Sequence, residues 1–248
     1  MNQEREYTYD VQVEMTHINE HNLLKPASYQ LIFANVAERH LERLDLAVER
    51  IKEFHMGWVL VSLSLEIVRP LGDSTNLHAH TWHSQRKGPY YRREFEFFNE
   101  KDEVIFRGAT YSVMLDLDKR TICRLRHLPF HVDDPVEEML ITASPQMKQE
   151  HEFSWVDERK VYNSYIDCFG HVNNCRYGEF AYDALDDEER ERLCDLKRMD
   201  IYFHAELGYG DRFAVGKAWD GDTLYLRGEN RRAGKKSFDV VMQFAPRA

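Results

Sequence analysis

The chain has 248 residues, 43% of them hydrophobic and 12% aromatic, enough to bury a sizeable core and to exclude global disorder. Its formal net charge of −10 excludes nucleic-acid binding by bulk electrostatics. No apolar run reaches the roughly 18 residues that a membrane span needs.

Residues 6–13 alternate and predict a strand. His17 to Leu24 reads as a polar entry loop, and Pro26 suits a first helical turn. Tyr29, Ile32, Phe33, Val36, Ala37, Leu41 and Leu44 form one apolar stripe and predict a long helix. Residues 45–56 read as a short second helix or an irregular crossover. From Trp58 the period switches to two, which puts Val59, Val61, Leu63, Leu65 and Ile67 on one strand face. Gly72-Asp73 marks a turn, and Asn76 to His83 predicts a strand. Tyr90 to Phe98 and Val104 to Leu115 flank the hairpin signal at 99–102.

Residues 126–149 differ in character. They hold Pro129, Pro135 and Pro145 among acidic residues, and read as a linker. The order of elements then repeats. His151 to Tyr162 predicts a strand, and Asp186 to Cys194 a charged crossover. Asp200 to Glu206 predicts a strand with Ile201, Phe203 and Ala205 opposite Tyr202, His204 and Glu206. Phe213 to Trp219, Thr223 to Gly228 and Ser237 to Phe244 complete the second set. The expected class is α+β: two tandem units over 1–125 and 150–248, each an antiparallel sheet wrapped around a long central helix.

The stretch from Tyr165 to Asn174 packs Asp167, Gly170, His171, Asn173 and Asn174 just before a helical stripe of Tyr177, Phe180, Ala181, Ala184 and Leu185. Unpaired N–H groups at a helix start favour developing negative charge. Asp167 is therefore a candidate base or nucleophile, or alternatively only a helix cap. His171 is a candidate partner for Asp167 or for a carbonyl, and Glu206 a candidate for positioning water. Backbone N–H groups from Gly170 through Val172 to Asn173 are candidates for holding an oxyanion.

The string Asp-x-x-Gly-His-Val-Asn-Asn-x-x-Tyr, from Asp167 to Tyr177, is similar to that of the hotdog-fold thioesterases. The doubled unit resembles the acyl-acyl-carrier-protein (acyl-ACP) thioesterases, as do Trp58 to Glu66 and Glu206 to Asp211. The resemblance runs from about residue 6 to 248 and implies tandem hotdog domains, hydrolysis of fatty acyl-ACP, and no cofactor or metal. It places Asp167, His171 and Glu206 at the site and gives acyl-chain selection to the first copy, where Trp58 lies. Phe169 stands where that family usually has Asn, and Leu207 where the plant enzymes have Cys, so no thiol nucleophile is implied. The local string around Phe169 is closer to single-hotdog acyl-CoA thioesterases. A non-catalytic acyl-binding protein and a dehydratase on the same fold are the rival readings.

Three further expectations complete the reading. Cys123, Cys168, Cys175 and Cys194 lack C-x-x-C spacing, and the first six residues lack an apolar signal region, which suits a reduced cytoplasmic protein. His78, His80 and His83 do not all share a strand face, which argues against a metal. The partners expected are an acyl carrier protein and a fatty acyl thioester, with a homodimer allowed for. Basic clusters at Arg86-Lys87 with Arg92-Arg93, Lys119-Arg120 with Arg124 and Arg126, and Arg231-Arg232 with Lys235-Lys236 are candidate docking surfaces for an acidic carrier.

Overall fold

The computed structural model describes residues 8–123, 128–130, 132 and 135–246. It divides into two compact units. The first gathers 1–13, 32–69 and 73–145, and the second 14–31, 70–72 and 146–248. Glu14–Leu31, early in the sequence, thus belongs with the second unit.

In the first unit the strands are β1 (Thr8–Gln12), β2 (Met56–Ile67), β3 (Asn76–Lys87), β4 (Tyr90–Phe98), β5 (Val104–Asp116) and β6 (Thr121–Ile122). They pair antiparallel in the order β1-β3-β4-β5-β2, with β6 on β5. Helix α1 (Pro26–Arg43) carries the predicted stripe, and α2 (Val48–Lys52) is the short second helix. Phe33 of α1 meets the rings of Phe95 and Phe97 at 4.6 and 5.1 Å. Gly108 leaves that ring its room, since a Cβ there would lie 2.2 Å from Phe33.

The face expected of β2 fails at one point. Its pairing with β5 shifts between Leu60 and Ser62, a bulge at Val61. The extra residue moves the side chains beyond it to the other face. Leu63 and Leu65 are therefore buried while Val59 is exposed. Ser62 and Ser64, on the opposite face, are buried as well.

The segment that covers them is the predicted linker. Residues 124–127, 131, 133 and 134 lie outside the described residues. The rest forms neither helix nor strand, yet its backbone is tied down. Val136 N donates to His83 O at 2.8 Å, Leu140 N to Glu94 Oε2 at 3.1 Å, and Ser62 Oγ to Ser144 O at 2.9 Å. Arg92, 3% exposed, bonds both Glu94, 0% exposed, and the Ile141 carbonyl. Buried main-chain groups must find partners, and here the sheet's polar side chains supply them. Two of the proposed docking cations are therefore interior: Arg92 and Arg93 are both buried.

In the second unit, β7 (Ser154–Lys160), β8 (Leu196–Phe203), β9 (Arg212–Asp220), β10 (Thr223–Asn230) and β11 (Lys235–Phe244) pair antiparallel in the order β7-β9-β10-β11-β8. Taken by rank in the sequence, this is the order of the first unit over again. Helices α3 (Arg176–Asp183) and α4 (Asp187–Glu191) occupy the predicted stripe and crossover. Tyr177 and Phe180 of α3 pack on Phe238 and Phe213, with ring centroids 4.9 and 4.6 Å apart. Asp186 caps α4 through a reciprocal bond pair with Glu189. β8 ends at Phe203, so Glu206 follows the strand rather than lying in it.

Candidate functional site

A short turn at Asn163–Tyr165 leads into a loop closed on itself. Asp167 N donates to His171 O at 2.9 Å and Gly170 N to Asp167 O at 3.0 Å. Gly170 sits at φ +81, a conformation that side-chain-bearing residues resist. Asp167 Oδ1 accepts the Phe169 N–H at 2.9 Å, an Asx turn. The loop is then sewn to the segment after β8. His171 bridges Gly208, and Val172 N donates to Leu207 O at 2.8 Å. This pairing brings Glu206 to His171, with Oε2 3.1 Å from Nε2. The two side chains are 37% and 52% exposed. A contact so open contributes little to stability.

Helix α3 begins at Arg176, nine residues past Asp167, so Asp167 does not cap it. Nor are the N–H groups before the helix broadly open, as the sequence suggests. Gly170, Val172 and Asn173 donate to Asp167, Leu207 and Tyr165 carbonyls. Cys175 N donates to Asn173 Oδ1 at 2.9 Å, and Gly178 N to Gln30 Oε1 at 2.8 Å. From Phe169 to Asn173, His171 N–H is the donor left without a partner among the described residues. Burial pushes the Cys175 thiol up to about 11, with Glu179 adding to the effect. It is therefore held as the thiol and not the nucleophilic thiolate.

The chain carries its own control for this loop. Asn19 N donates to Leu23 O at 2.9 Å, Asn22 N to Asn19 O at 3.1 Å, and Lys25 N to His17 O at 3.0 Å. These match, at a constant offset, the bonds made by Asp167, Gly170 and Asn173. The bridge Ile18↔Leu24 matches Ile166↔Val172, and Asn22 has φ 56 where Gly170 has φ 81. Asn19 Oδ1 accepts from Leu23 N and His21 N, both at 3.0 Å. The turn therefore forms on an uncharged amide. In the first copy Asn19 replaces Asp167 and Leu23 replaces His171. The charge at 167 and the imidazole at 171 are surplus to the loop's own folding.

Asp167 lies on the wall of a cavity of about 670 Å³ within the second unit. Two sets of residues line it: Ser164, Tyr165, Asn173, Cys175 and Arg176, and a second set of Thr16, His17, Lys25, Ala27 and Ser28. The second set comes from the loop before α1 and from the first turn of α1, which the sequence reading did not connect with the site. The signal was present: Thr16, His17 and Lys25 occupy the positions of Ser164, Tyr165 and Asn173 in the repeated loop.

The remaining candidates lie elsewhere. Trp58, in the first unit, meets the Tyr91 ring edge-on at 4.8 Å beside Leu46, Ile51 and Met114. Its Nε1 and the Tyr91 hydroxyl are buried without partners among the described residues. His78 stacks on Phe98 and sits 3.2 Å from Asp102. His83 is buried against Arg93 at 2.9 Å. Arg231 lies over the Trp155 ring and Lys236 meets Glu150, while Arg124 and Arg126 lie outside the described residues.

The acyl-ACP thioesterase N-terminal domain matches residues 3–127 and the acyl-ACP thioesterase C-terminal domain residues 148–244. No curated protein matches. Among solved structures, an acyl-ACP thioesterase from Bacteroides thetaiotaomicron superposes with TM-score 0.80 at 19% identity, covering 99% of this chain and 100% of that one. The 12:0-ACP thioesterase from Umbellularia californica gives 0.77 at 12% identity, covering 97% of each chain. A MaoC-like dehydratase from Phytophthora capsici gives 0.52 at 13% identity, over 77% of this chain and 72% of that one. With both domain models matched in order over most of its length, the chain belongs to the acyl-ACP thioesterase family, enzymes that hydrolyse fatty acyl-ACP.

Proposed function

We propose that Asp167, His171 and Glu206 carry the hydrolysis, each unit being a hotdog with its sheet wrapped around its helix. Asp167 takes a proton from water as the water oxygen attacks the thioester carbonyl carbon. The carbonyl oxygen gains the charge and meets the open His171 N–H. Collapse of the adduct breaks the C–S bond, and the departing thiolate takes the proton held by Asp167. The products are the free fatty acid and the carrier thiol. Glu206 fixes the His171 ring through Nε2, which leaves Nδ1 to face the substrate. In the first unit, the apolar cluster around Trp58 shapes the acyl slot. Val172, buried and paired with Leu207, holds the loop in register, and the Asn173 side chain is spent on Cys175 N.

The observation that carries this reading is the Asp167 carboxylate on a cavity wall, in a turn that Asn19 makes without charge. A general base contributes about 100–10,000-fold. Asp167→Asn is expected to lower hydrolysis of acyl-ACP by at least about 100-fold while the circular dichroism spectrum and melting temperature stay near wild type. Turnover within a fewfold of wild type would reject Asp167 as the base. Rates on acyl-ACP and acyl-CoA of one chain length test the carrier preference.

A further inference from the structure

Glu206 reaches His171 from a segment that has already left the sheet, and a contact so open does not hold its own geometry. The chain bends at Ala205. Around the bend the ladder of β8 with β11 runs on for two main-chain bonds, His204 N to Ser237 O at 2.9 Å and Ala205 N to Lys236 O at 3.1 Å. The His204 side chain makes a further tie, with Nε2 2.8 Å from Asp239 Oδ2. Asp239 is buried, and Arg227 Nε donates to its other oxygen at 2.7 Å. Burial opposes the Asp239 charge, but the bonds from His204 and Arg227 hold its carboxyl below the ordinary range. A carboxylate only accepts, so the proton in the contact belongs to His204 Nε2. Past the bend, Gly208 N donates to Asp211 Oδ2 at 2.9 Å. The segment that carries Glu206 is thus fixed at both ends by carboxylates.

The first copy again serves as a control. There Ile67 pairs with Phe106 as Phe203 pairs with Phe238. Val68 N donates to Ile105 O at 2.9 Å, as His204 N does to Ser237 O. Val68 therefore stands for His204. Arg107 stands for Asp239 and Glu96 for Arg227, again as cross-strand partners. Arg107 Nε bonds Glu96 Oε1 at 2.7 Å, and a valine side chain has no proton to donate. Two residues past Val68 the chain has Pro70, where two past His204 it has Glu206. The copy with no carboxylate to aim lacks the clamp, and its ladder closes without it. The imidazole–carboxylate pair is therefore surplus to closing the ladder.

We propose that His204 and Asp239 are positioning residues for the hydrolysis: Asp239, held by Arg227, fastens the His204 ring, and His204 fixes the bend from which Glu206 meets His171. The inference rests on the hydrolase reading above and adds to it what aims Glu206. Neither residue is assigned a contact with substrate. Their effect passes through Glu206 to the His171 ring, so it belongs to the chemical step and not to binding.

The test combines steady-state kinetics on acyl-ACP with a double-mutant cycle in the full chain. His204→Val installs the first copy's residue and leaves Asp239 its bond from Arg227. It is expected to lower kcat about tenfold with KM within about twofold, the order of one hydrogen bond to a charged group. His204→Gln, whose amide can still donate to Asp239, is expected to bring kcat back to within about threefold of wild type. In the Glu206→Gln background, His204→Val is expected to cost less than about twofold more, because the two residues act as one unit. An unchanged kcat in His204→Val, a loss in KM alone, an equal loss in both backgrounds, or no recovery with glutamine overturns the positioning role. NMR of the histidine-labelled protein gives a readout that needs no turnover. The His171 ring signals, identified by their loss in His171→Asn, are expected to shift alike in His204→Val and Glu206→Gln. Unmoved signals in His204→Val overturn the inference. Glu206→Gln with wild-type turnover would instead reject the role given to Glu206 in hydrolysis, and the His171 signals would still decide whether His204 sets its geometry.

Discussion

At the level of single residues, the doubled loop separates what folding needs from what chemistry needs. Asn19 and Asp167 make the same turn, so the carboxylate is the excess. Phe169 fills the place where the resembled family has Asn, yet what it gives Asp167 is its main-chain N–H, at 2.9 Å. Any residue but proline supplies that bond, and Phe169 is 52% exposed. The departure from pattern therefore leaves the turn intact. In the proposed mechanism Glu206 acts through His171, 3.1 Å away, rather than on the acyl chain. Glu206→Gln is expected to lower kcat roughly tenfold or more with KM little changed, because the lost contact acts on the transition state. A rise in KM alone, seen in steady-state kinetics, would place Glu206 in binding instead.

Between elements, close approach is bought by one glycine. Gly178 of α3 and Gln30 of α1 are equivalent positions in the two copies. A Cβ on Gly178 would lie 2.2 Å from Gln30 Oε1 and 2.9 Å from Ala27 N. The Gln30 amide fills the space, accepting from Gly178 N and donating to Asn174 O at 2.9 Å. Gly178→Ala forces the two helices apart and is expected to destabilise by about 1–3 kcal/mol in urea unfolding. The linker is a second case. Glu94 joins Arg92, Ser84 and the Leu140 N–H, all within the first unit. Glu94→Gln leaves Arg92, 3% exposed, without its carboxylate. The expected loss is about 3–5 kcal/mol, with faster amide exchange at Leu140.

For the molecule as a whole, two buried imidazoles contribute to the acid limb of stability. Burial, then the Arg93 charge, pushes His40 down to about 2 and His83 well below its ordinary value. Arg43 and Arg86 add to the effect at His40 and His83 respectively. Below the ordinary value of 6.5, the unfolded chain takes up protons that the folded chain refuses. Stability therefore falls as pH falls, beginning near 6.5, by up to about 1.4 kcal/mol per pH unit for each ring. Urea titrations at successive pH values should show this slope, and His40→Gln should reduce it. An unchanged slope would mean that His40 does not set it.

The sequence by itself determined the strands, the long first helix, the repeat and the loop holding Asp167 and His171. Periodicity, turn glycines and short-range spacing are local, and local sterics impose them on any chain. It also pointed to Glu206, through the resemblance, but set it within a strand that ends at Phe203. Only the tertiary structure decided the bulge at Val61, the burial of Arg92 and Arg93, and the pairing that sets Glu206 against His171. It alone joined the segment Thr16–Ser28, which ends in the first turn of α1, to the cavity at Asp167. These depend on which distant backbone a residue meets, and one skipped position in a ladder reverses every face beyond it. Pattern within a window specifies an element, whereas contact between windows specifies what that element touches.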